Sequence, residues 1–377
     1  MPSTRFGAVV IASVAVTAAA AIAVIAGPRK AEVAAVGLLL DAPLPAGPPP
    51  AGTTLVIGDP ITEHVLEHTG WIRQLPFTVK WAKITGGPAV TEAFHAKALD
   101  VGSAADMPPI HATWIGIPVK IIAVRQRLDP TDHPLWQLGV GPHSGIRTLA
   151  DLRGKKIAFS PGQVQGEVVL RTLQAQGLTA KDVTLVELPS TGGDLYVNAL
   201  AGGVVDVAPI AAGTQAKRFL EKFGSDGAQV LPHPPFRDDL GVLYVRQETL
   251  RDPAKAAALK AYVALWARAA EWVRGHPDEF AELYYAKDQG LSTADARYVV
   301  SVGGEPDIPR DWSDAVGMEQ TAADVMARQT KRPPIVAESL FDRRFQSVAA
   351  DAADAEWAAE GHATAPRLAS NARETQP

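Results

Sequence analysis

The sequence predicts an α/β protein made of two similar lobes. Short strands rich in β-branched residues alternate with helical patterns over residues 54–141, and the same order recurs over 142–240. A third stretch, 241–345, opens with one apolar strand and is otherwise helical. Since such helices need an apolar surface to cover, we assign this stretch to the first lobe. The predicted lobes are therefore 54–141 with 241–345, and 142–240.

In the first lobe, three predicted strands each end in a loop, and a helix begins directly after that loop. Proline stands near the start of each helix, where its missing N–H would have no partner in any case. In an open parallel sheet, ligands bind at the carboxyl ends of the strands, and the free N–H groups of helix starts favour anions. The loops predicted to face such a crevice are Asp59-Pro60, Gly86-Gly87 and Asp106-Met107.

Two of these loops also have simpler interpretations. Gly86 and Gly87 can serve a tight turn rather than contact a ligand. Asp106 can be the N-cap of the helix at Pro108. If Asp106 instead faces the ligand, its carboxylate repels nitrate or a plain sulfonate and suits an amine-bearing or zwitterionic compound. The predicted ligand is thus a small anion or zwitterion.

The second lobe repeats the plan with different side chains at the crevice. A predicted strand over 157–160 runs into a Pro-Gly turn, and a helix over 164–176 follows. Ser160 and Gln163 place a hydroxyl and an amide at that helix start, where both can donate to a ligand. The alternative is that these two side chains cap their own loop.

Composition excludes several classes of function. The 377 residues carry a formal charge of −5, without the clustered basic excess that marks a nucleic-acid partner. The chain has no cysteine. Disulfides, a thiolate nucleophile, iron–sulfur clusters and a lipid-modified N-terminal cysteine are therefore excluded.

The two ends of the chain are predicted to differ from the folded body. Residues 7–27 form an uncharged apolar run that directs export, either as a cleaved signal peptide or as a retained membrane anchor over 1–27. The proline-rich residues 28–53 then form a stiff linker. The Ala-, Asp- and Glu-rich residues 346–377 are predicted to be a disordered tail. The folded part should thus lie outside the cytoplasm, either free or tethered.

One short motif points to different chemistry. His64, Glu67 and His68 fit the H-x-x-E-H pattern of zinc peptidases, in which two histidines bind metal and the glutamate activates water. That pattern needs a further acidic ligand well downstream, and Glu does not occur between Glu92 and Glu167. A secreted zinc hydrolase is therefore the alternative function, and a solvated helix face is the simpler interpretation of these residues.

The order of motifs resembles one transport family. Residues 84–112 look like the GP…EAL…D…G…D-x-PP-I-x-A signature of ABC-transporter substrate-binding proteins for sulfonates, taurine and nitrate. Residues 148–177 resemble the family's S-x-x-DL-x-GKK-V-A-x-x-x-G stretch, and 201–208 its G-x-VDA segment. Residues 278–341 resemble its helical C-terminal part. The resemblance covers most of residues 54–345.

This resemblance implies a type II periplasmic-binding fold, in which two α/β lobes close on a ligand like a hinge. It implies a non-enzymatic, monomeric receptor without a cofactor or metal, which delivers a small organic anion such as an aliphatic sulfonate or taurine to an ABC permease in the membrane. Desulfinases that share the fold use a cysteine nucleophile, which this chain lacks. The family's ligand loops correspond to those named above, with Val164 and Gln165 added to Ser160 and Gln163.

The sequence departs from the family at the last crevice loop of the second lobe. Family members often carry an aromatic residue such as tryptophan there. In this chain the loop reads Pro209-Ile210-Ala211-Ala212. Ile210 and Ala211 are therefore candidate ligand contacts whose small size leaves the identity of the ligand open.

Overall fold

The computed structural model describes residues 38–84, 86–189 and 194–362, which belong to one compact unit. The predicted export segment, residues 1–27, lies outside the described residues, as does the first part of the proline-rich linker. Within the described ranges, no helix is long and apolar enough to cross a membrane.

The first lobe begins with three strand-helix units and a fourth strand. Its elements in chain order are β1 (Thr54–Gly58), α1 (Pro60–His68), β2 (Thr78–Trp81), α2 (Gly87–His95), β3 (Val101–Ala105), α3 (Met107–Trp114) and β4 (Val119–Arg127). β1 pairs in parallel with both β2 and β3, so the carboxyl ends of these three strands share one edge of the sheet. The loops after β1, β2 and β3 were predicted to meet at this edge.

The second lobe carries its own sheet. Its elements are β5 (Trp136–Val140), β6 (Lys156–Phe159), α4 (Val164–Ala175), β7 (Thr184–Glu187), α5 (Leu195–Ala201), β8 (Val207–Ala211), α6 (Thr214–Phe223) and β9 (Gln229–Leu231). The strand order is β7-β6-β8-β5-β9. β5 pairs with β8 and β9, so the predicted lobe boundary at 141/142 is wrong. The Gly-Pro break there ends a strand inside the second sheet, and the chain crosses between lobes earlier, over residues 128–135.

The chain then returns to the first lobe. β10 (Gly241–Arg246) enters the first sheet antiparallel between β3 and β4, and the strand order is β11-β4-β10-β3-β1-β2. The remaining elements are α7 (Gln247–Arg251), α8 (Pro253–Gly275), α9 (Pro277–Phe280), a π-helix (Ala281–Asp288), α10 (Thr293–Gly303), β11 (Pro306–Asp307), α11 (Ser313–Thr330) and α12 (Gln346–Ala359). This confirms the predicted α/β class with a helical C-terminal part.

The last helix corrects one prediction. Residues 346–377 were predicted to be disordered, yet Gln346–Ala359 is a helix that packs along α8. Ala349, Ala350 and Ala353 are buried, because alanine lets the two helix backbones approach closely. The prediction is wrong for this helix, and residues 363–377 lie outside the described chain.

Two neighbouring aspartates tie the two crossings between the lobes together. The carboxylate of Asp238 accepts hydrogen bonds from the backbone N–H of Leu135 at 3.0 Å and of Trp136 at 2.8 Å. Asp239 accepts one from the backbone N–H of Arg127 at 2.7 Å. The outgoing and returning segments are thus joined at both ends of residues 128–134.

Candidate ligand-binding cleft

A pocket of about 470 Å³ lies between the two lobes. It is bounded by the carboxyl end of β4, the first turn of α1, the amino end of β5 and the carboxyl end of β8. The π-helix and α10 close its remaining sides. The lining residues are Ile61, Arg127, Pro134, Leu135, Trp136, Ala211, Ala212, Thr214, Gln215, Tyr284, Tyr285, Gln289, Leu291, Val299, Val302 and Gly303.

Arg127 brings positive charge to the pocket. Its Nη1 donates to the backbone oxygen of His133 at 2.8 Å, the one side-chain hydrogen bond found for it within the described chain. A guanidinium has five N–H donors, so others remain for a ligand. Burial lowers the pKa of Arg127, and the nearby carboxylates of Asp238 and Asp239 oppose that shift. An arginine stays protonated at neutral pH even so, and Arg127 therefore gives the pocket a positive charge.

A second arginine lies on the same face of β4. Arg125 and Arg127 are two residues apart in a strand, so their side chains project to one side. Both act electrostatically on the hydroxyl of Tyr285, which lines the pocket between the strand and the π-helix. Within residues 38–84, 86–189 and 194–362, no hydrogen bond or ion pair is found for the side chain of Arg125, whose backbone lies in the β4–β10 ladder. The edge of β4 is therefore a strip of positive potential.

Asp59 and Pro60 lie next to this strip. Asp59 is the N-cap of α1 and accepts hydrogen bonds from the backbone N–H of Thr62 at 3.5 Å and from the hydroxyl of Tyr262 at 3.1 Å. Burial raises the pKa of Asp59, while Thr62 and the charge of Arg125 lower it. Pro60 occupies the first helical position, and the next residue, Ile61, lines the pocket.

The second lobe offers small residues to the pocket. Ala211 and Ala212 line it, whereas Ile210 points the other way and is fully buried in the core of the second lobe. This alternation follows from the period of two in strand β8. Gln215 accepts a hydrogen bond from the backbone N–H of Ala211 at 2.7 Å, which holds the loop against α6.

The loop before α2 is built for close packing. Gly86 has a φ of 83°, in the left-handed region that favours glycine. A Cβ on Gly87 would stand 2.3 Å from Cγ of Pro108 at the start of α3. The two glycines thus have a packing role, and their predicted ligand contact stays a prediction, since neither lines the pocket.

Asp106 and Met107 are buried where the two lobes meet. Asp106 caps α3 by accepting a hydrogen bond from the backbone N–H of Met107 at 2.7 Å. The same carboxyl also interacts with the carboxyl of Glu167 in the second lobe. Met107 is fully buried. The capping interpretation of Asp106 therefore describes its present contacts, and a ligand contact stays a prediction.

The predicted residues at the start of α4 are also buried. The hydroxyl of Ser160 donates to Oε1 of Gln163 at 2.5 Å, which is the capping arrangement considered from the sequence. A Cβ on Gly162 would stand 3.3 Å from the ring of His111, so this loop abuts α3 of the first lobe. Val164 and Gln165 are buried as well. The lobes are closed over this part of the cleft, and ligand contact by these residues is untested.

A cluster of buried carboxyls at this closure was not predicted. Glu167 on α4 and Glu319 on α11 join Asp106, and Arg171 pairs with Glu167 at 3.2 Å. Burial is the largest cause that raises the pKa of all three carboxyls, and their mutual repulsion raises those of Glu167 and Glu319 further. The three residues are far apart in the sequence, and the residues around each of them do not predict that they come together.

The zinc-peptidase motif is arranged differently from a metal site. Nε2 of His64 lies 3.2 Å from Asp288, and Nε2 of His68 lies 2.7 Å from Glu279, so each histidine has its own acidic partner. Within the described ranges, no group of three His, Cys, Asp or Glu side chains is placed to hold a metal ion. The zinc-hydrolase alternative is therefore not favoured.

Two α/β lobes that enclose a pocket and are joined by two crossings are the architecture of the periplasmic binding proteins. The fold is similar to that of the alkanesulfonate-binding protein SsuA of Xanthomonas axonopodis pv. citri bound to MOPS, with a TM-score of 0.62 and 20% identity over 78% of this chain and 99% of that one. The model of the NMT1/THI5-like family matches residues 70–280, and the chain belongs to that family.

Two curated relatives carry the name aliphatic sulfonates-binding protein. The one from Escherichia coli (strain K12) is 32% identical over 105 residues, which are 28% of this chain and 32% of the relative. The one from Bacillus subtilis (strain 168) is 26% identical over 206 residues, which are 55% of this chain and 59% of the relative. The alignments thus span about one third and three fifths of these relatives. The resemblance found in the sequence is confirmed.

Proposed function

We propose that this protein is an extracytoplasmic receptor that captures a small organic anion, such as an aliphatic sulfonate or taurine, and delivers it to an ABC permease. The observation that carries the proposal is the pocket between the lobes, where Arg127 of one lobe faces Trp136 and Gln215 of the other. The names of the sulfonate-binding relatives support the ligand class. The apolar run at residues 7–27 supports the location.

The geometry suits capture by closure. An anion on Arg127 would lie where β4 runs into the first crossing, so it would contact the first lobe, the crossing and the second lobe together. A ligand held in this way binds the closed form more tightly than the open form, and binding and closure become one equilibrium. The permease can then distinguish loaded from empty receptor by shape alone.

Tyrosines beside the arginines would add neutral donors. Burial raises the pKa of Tyr284 to about 12, so its hydroxyl stays protonated throughout the physiological range. Burial also raises the pKa of Tyr285, although Arg125 and Arg127 oppose the shift. A sulfonate has three acceptor oxygens and no proton to donate. It therefore suits a site whose tyrosine hydroxyls and arginine guanidinium groups donate hydrogen bonds.

The first prediction tests the anion-binding role of Arg127. A bound ligand at about 100 times its Kd stabilises a protein by roughly 2.7 kcal/mol, and each kcal/mol raises the melting temperature of a chain this size by about 2–4 °C or less. Thermal unfolding with taurine, ethanesulfonate, benzenesulfonate and nitrate should show such a rise for at least one sulfonate. We expect Arg127→Gln to abolish it, since the buried charge that pairs with the anion is gone.

The matched control is Arg310→Gln. Arg310 is an exposed arginine that pairs with Asp351 at 2.8 Å and Asp354 at 2.6 Å, away from the cleft, so its variant should keep the full ligand-induced rise. A rise that survives Arg127→Gln would place the anion site elsewhere. If the wild-type protein responds to no sulfonate at all, the proposed function itself is wrong.

A further inference from the structure

We infer that the anion taken by this pocket carries an aromatic ring, so that arylsulfonates are its preferred class of ligand. This inference rests on the proposed function and narrows it. It depends on three features of the pocket: its size, the chemistry of its walls and the position of its charge at one end.

The pocket is larger than a short alkyl sulfonate requires. Its volume of about 470 Å³ falls within the roughly 300–1,000 Å³ of pockets that hold drug-sized ligands. Ala211 and Ala212 line the pocket from the second lobe, and their small side chains leave space that larger ones would take up. A two-carbon sulfonate would leave most of the volume to water, and an aromatic ring would occupy more of it.

The walls offer flat and apolar surfaces. Tyr284 and Tyr285 stand edge to face, with ring centroids 5.1 Å apart, and both line the pocket from the first lobe. Trp136 lines it from the second lobe. Aromatic side chains bind other rings by offset or edge-to-face contact at centroid distances of about 4.5–7 Å. Apolar side chains complete the enclosure from the π-helix side and α10, namely Leu291, Val299 and Val302.

Charge is confined to one end of this enclosure. Arg127 is the charged residue that lines the pocket within the described chain. The indole Nε1 of Trp136 is buried, and no hydrogen-bond acceptor is found for it among the described residues. A ligand with one anionic group on a flat apolar body matches a pocket with a guanidinium at one end and rings along its sides.

The experiment compares matched sulfonates by isothermal titration calorimetry on the whole protein. The probes are benzenesulfonate and 2-naphthalenesulfonate against ethanesulfonate and taurine. We expect the aromatic compounds to bind at least about tenfold more tightly, which is the lower end of what filling a hydrophobic pocket contributes per added group. Equal or weaker binding of the aromatic compounds would overturn the inference while leaving the receptor function intact.

Filling the pocket gives the second arm. In Ala211→Leu the added side chain occupies the space assigned to the ring, so the preference for benzenesulfonate over ethanesulfonate should fall below about threefold. Ala355→Leu, at an exposed position of α12, should keep the wild-type preference. If Ala211→Leu does not fold, Ala212→Leu makes the same test. If the pocket variants keep the wild-type preference for benzenesulfonate, the inference is wrong. If none of the four sulfonates binds the wild-type protein, the proposed function is wrong as well.

Discussion

Glu319 shows how an acidic side chain is kept in the interior. It is fully buried on α11, and neither carboxyl oxygen has a hydrogen-bond partner within the described ranges. Burial, followed by the charges of Asp106 and Glu167, raises its pKa well above the ordinary value. The side chain is therefore held in its protonated, neutral form over a wider pH range than an exposed glutamate.

The sign of the pH effect on stability follows from this raised pKa. The native state binds the proton of Glu319 more tightly than the unfolded chain does. Binding of this proton therefore stabilises the native state fully below the ordinary glutamate pKa of about 4.3. The stabilisation is lost as the pH rises through the raised pKa that Glu319 has in the folded protein. We predict that Glu319→Gln, which carries no charge at any pH, flattens this decline.

The measurement is the melting temperature of both proteins from pH 5 to pH 9. Leaving a buried polar group without a partner costs about 1–3 kcal/mol, and more when the group is charged, so the variant should melt at least about 2 °C above the wild type at the alkaline end. Glu338→Gln is the control, because that glutamate pairs with Arg343 at the surface. Parallel curves for wild type and Glu319→Gln would contradict the prediction.

At the scale of single residues, the sequence named few of the residues that line the pocket. Ala211 was predicted from a loop at a strand end, and it lines the pocket. Arg127, Trp136 and Tyr284 come from three separate stretches that only tertiary packing brings together. The two arginines at alternate positions near the end of β4 were the one local signal that could have indicated the site.

Helix α12 shows how an alanine-rich element can be stabilised by a neighbour. Its buried alanines allow close packing on α8, and Arg268 of α8 pairs with Glu356 at 2.7 Å. Such a segment has too few large apolar residues for the sequence to predict its burial, and its composition is typical of disordered segments. The helix covers one side of α8, whose other residues pack in the main core.

The prediction for this element concerns one buried position. Ala353 is fully buried, so Ala353→Gln forces a polar side chain between α12 and α8. We expect a loss of about 1–3 kcal/mol, the usual cost of overpacking a close contact, seen as a lower urea midpoint in chemical unfolding. Ala355→Gln on the exposed side of the same helix should have almost no effect. Equal midpoints for the two variants would mean that α12 does not stabilise the fold.

Regular elements were predictable where their patterns were strong. β1, β3 and β6 are short runs of β-branched or small residues, each followed by a loop and a helix start. The strand predicted before Pro209 is shifted, since β8 extends to Ala211 and includes most of the predicted loop. β5 is not evident in the sequence, because its five residues lie between prolines and the Gly-Pro break has the pattern of a domain boundary. β9, with three residues, is too short for any periodicity to be visible.

The molecule as a whole is in a closed arrangement. α4 of the second lobe packs against α11, and Lys217 on α6 pairs with Asp295 at 2.7 Å on α10. The buried carboxyls of Asp106 and Glu167, one from each lobe, also interact at this interface. Two carboxyls can share a hydrogen bond only while one of them keeps its proton. We therefore expect closure without a bound ligand to depend on a proton at this position.

We predict that the empty protein opens as the pH rises. Burial and the charge of Asp106 raise the pKa of Glu167, and Arg171 lowers it. The carboxylate of Asp238 also raises the pKa of Asp106. Below the raised pKa the proton holds the lobes together, and above it two carboxylates repel across the interface. Small-angle X-ray scattering from pH 5 to pH 9 should show an increasing radius of gyration.

Glu167→Gln is the decisive variant for this prediction. Its amide can donate to Asp106 at every pH, so the scattering curve should stay that of the closed form. Glu187→Gln, at an exposed position at the end of β7, should open like the wild type. A radius that does not change with pH in the wild type would show that the carboxyl pair does not control closure.

The aspartates that tie the two crossings have a mechanical consequence. Because Asp238 and Asp239 bond to the backbone at Arg127, Leu135 and Trp136, the two segments cannot swivel independently. Opening of the lobes would then change the backbone torsion angles of residues 128–134 in the outgoing crossing and of residues 232–236 in the returning one. Opening would then turn the second lobe about both segments together. If ligand binding closes the lobes, as the proposed function requires, two fluorescent labels, one on each lobe, would report ligand concentration as a distance.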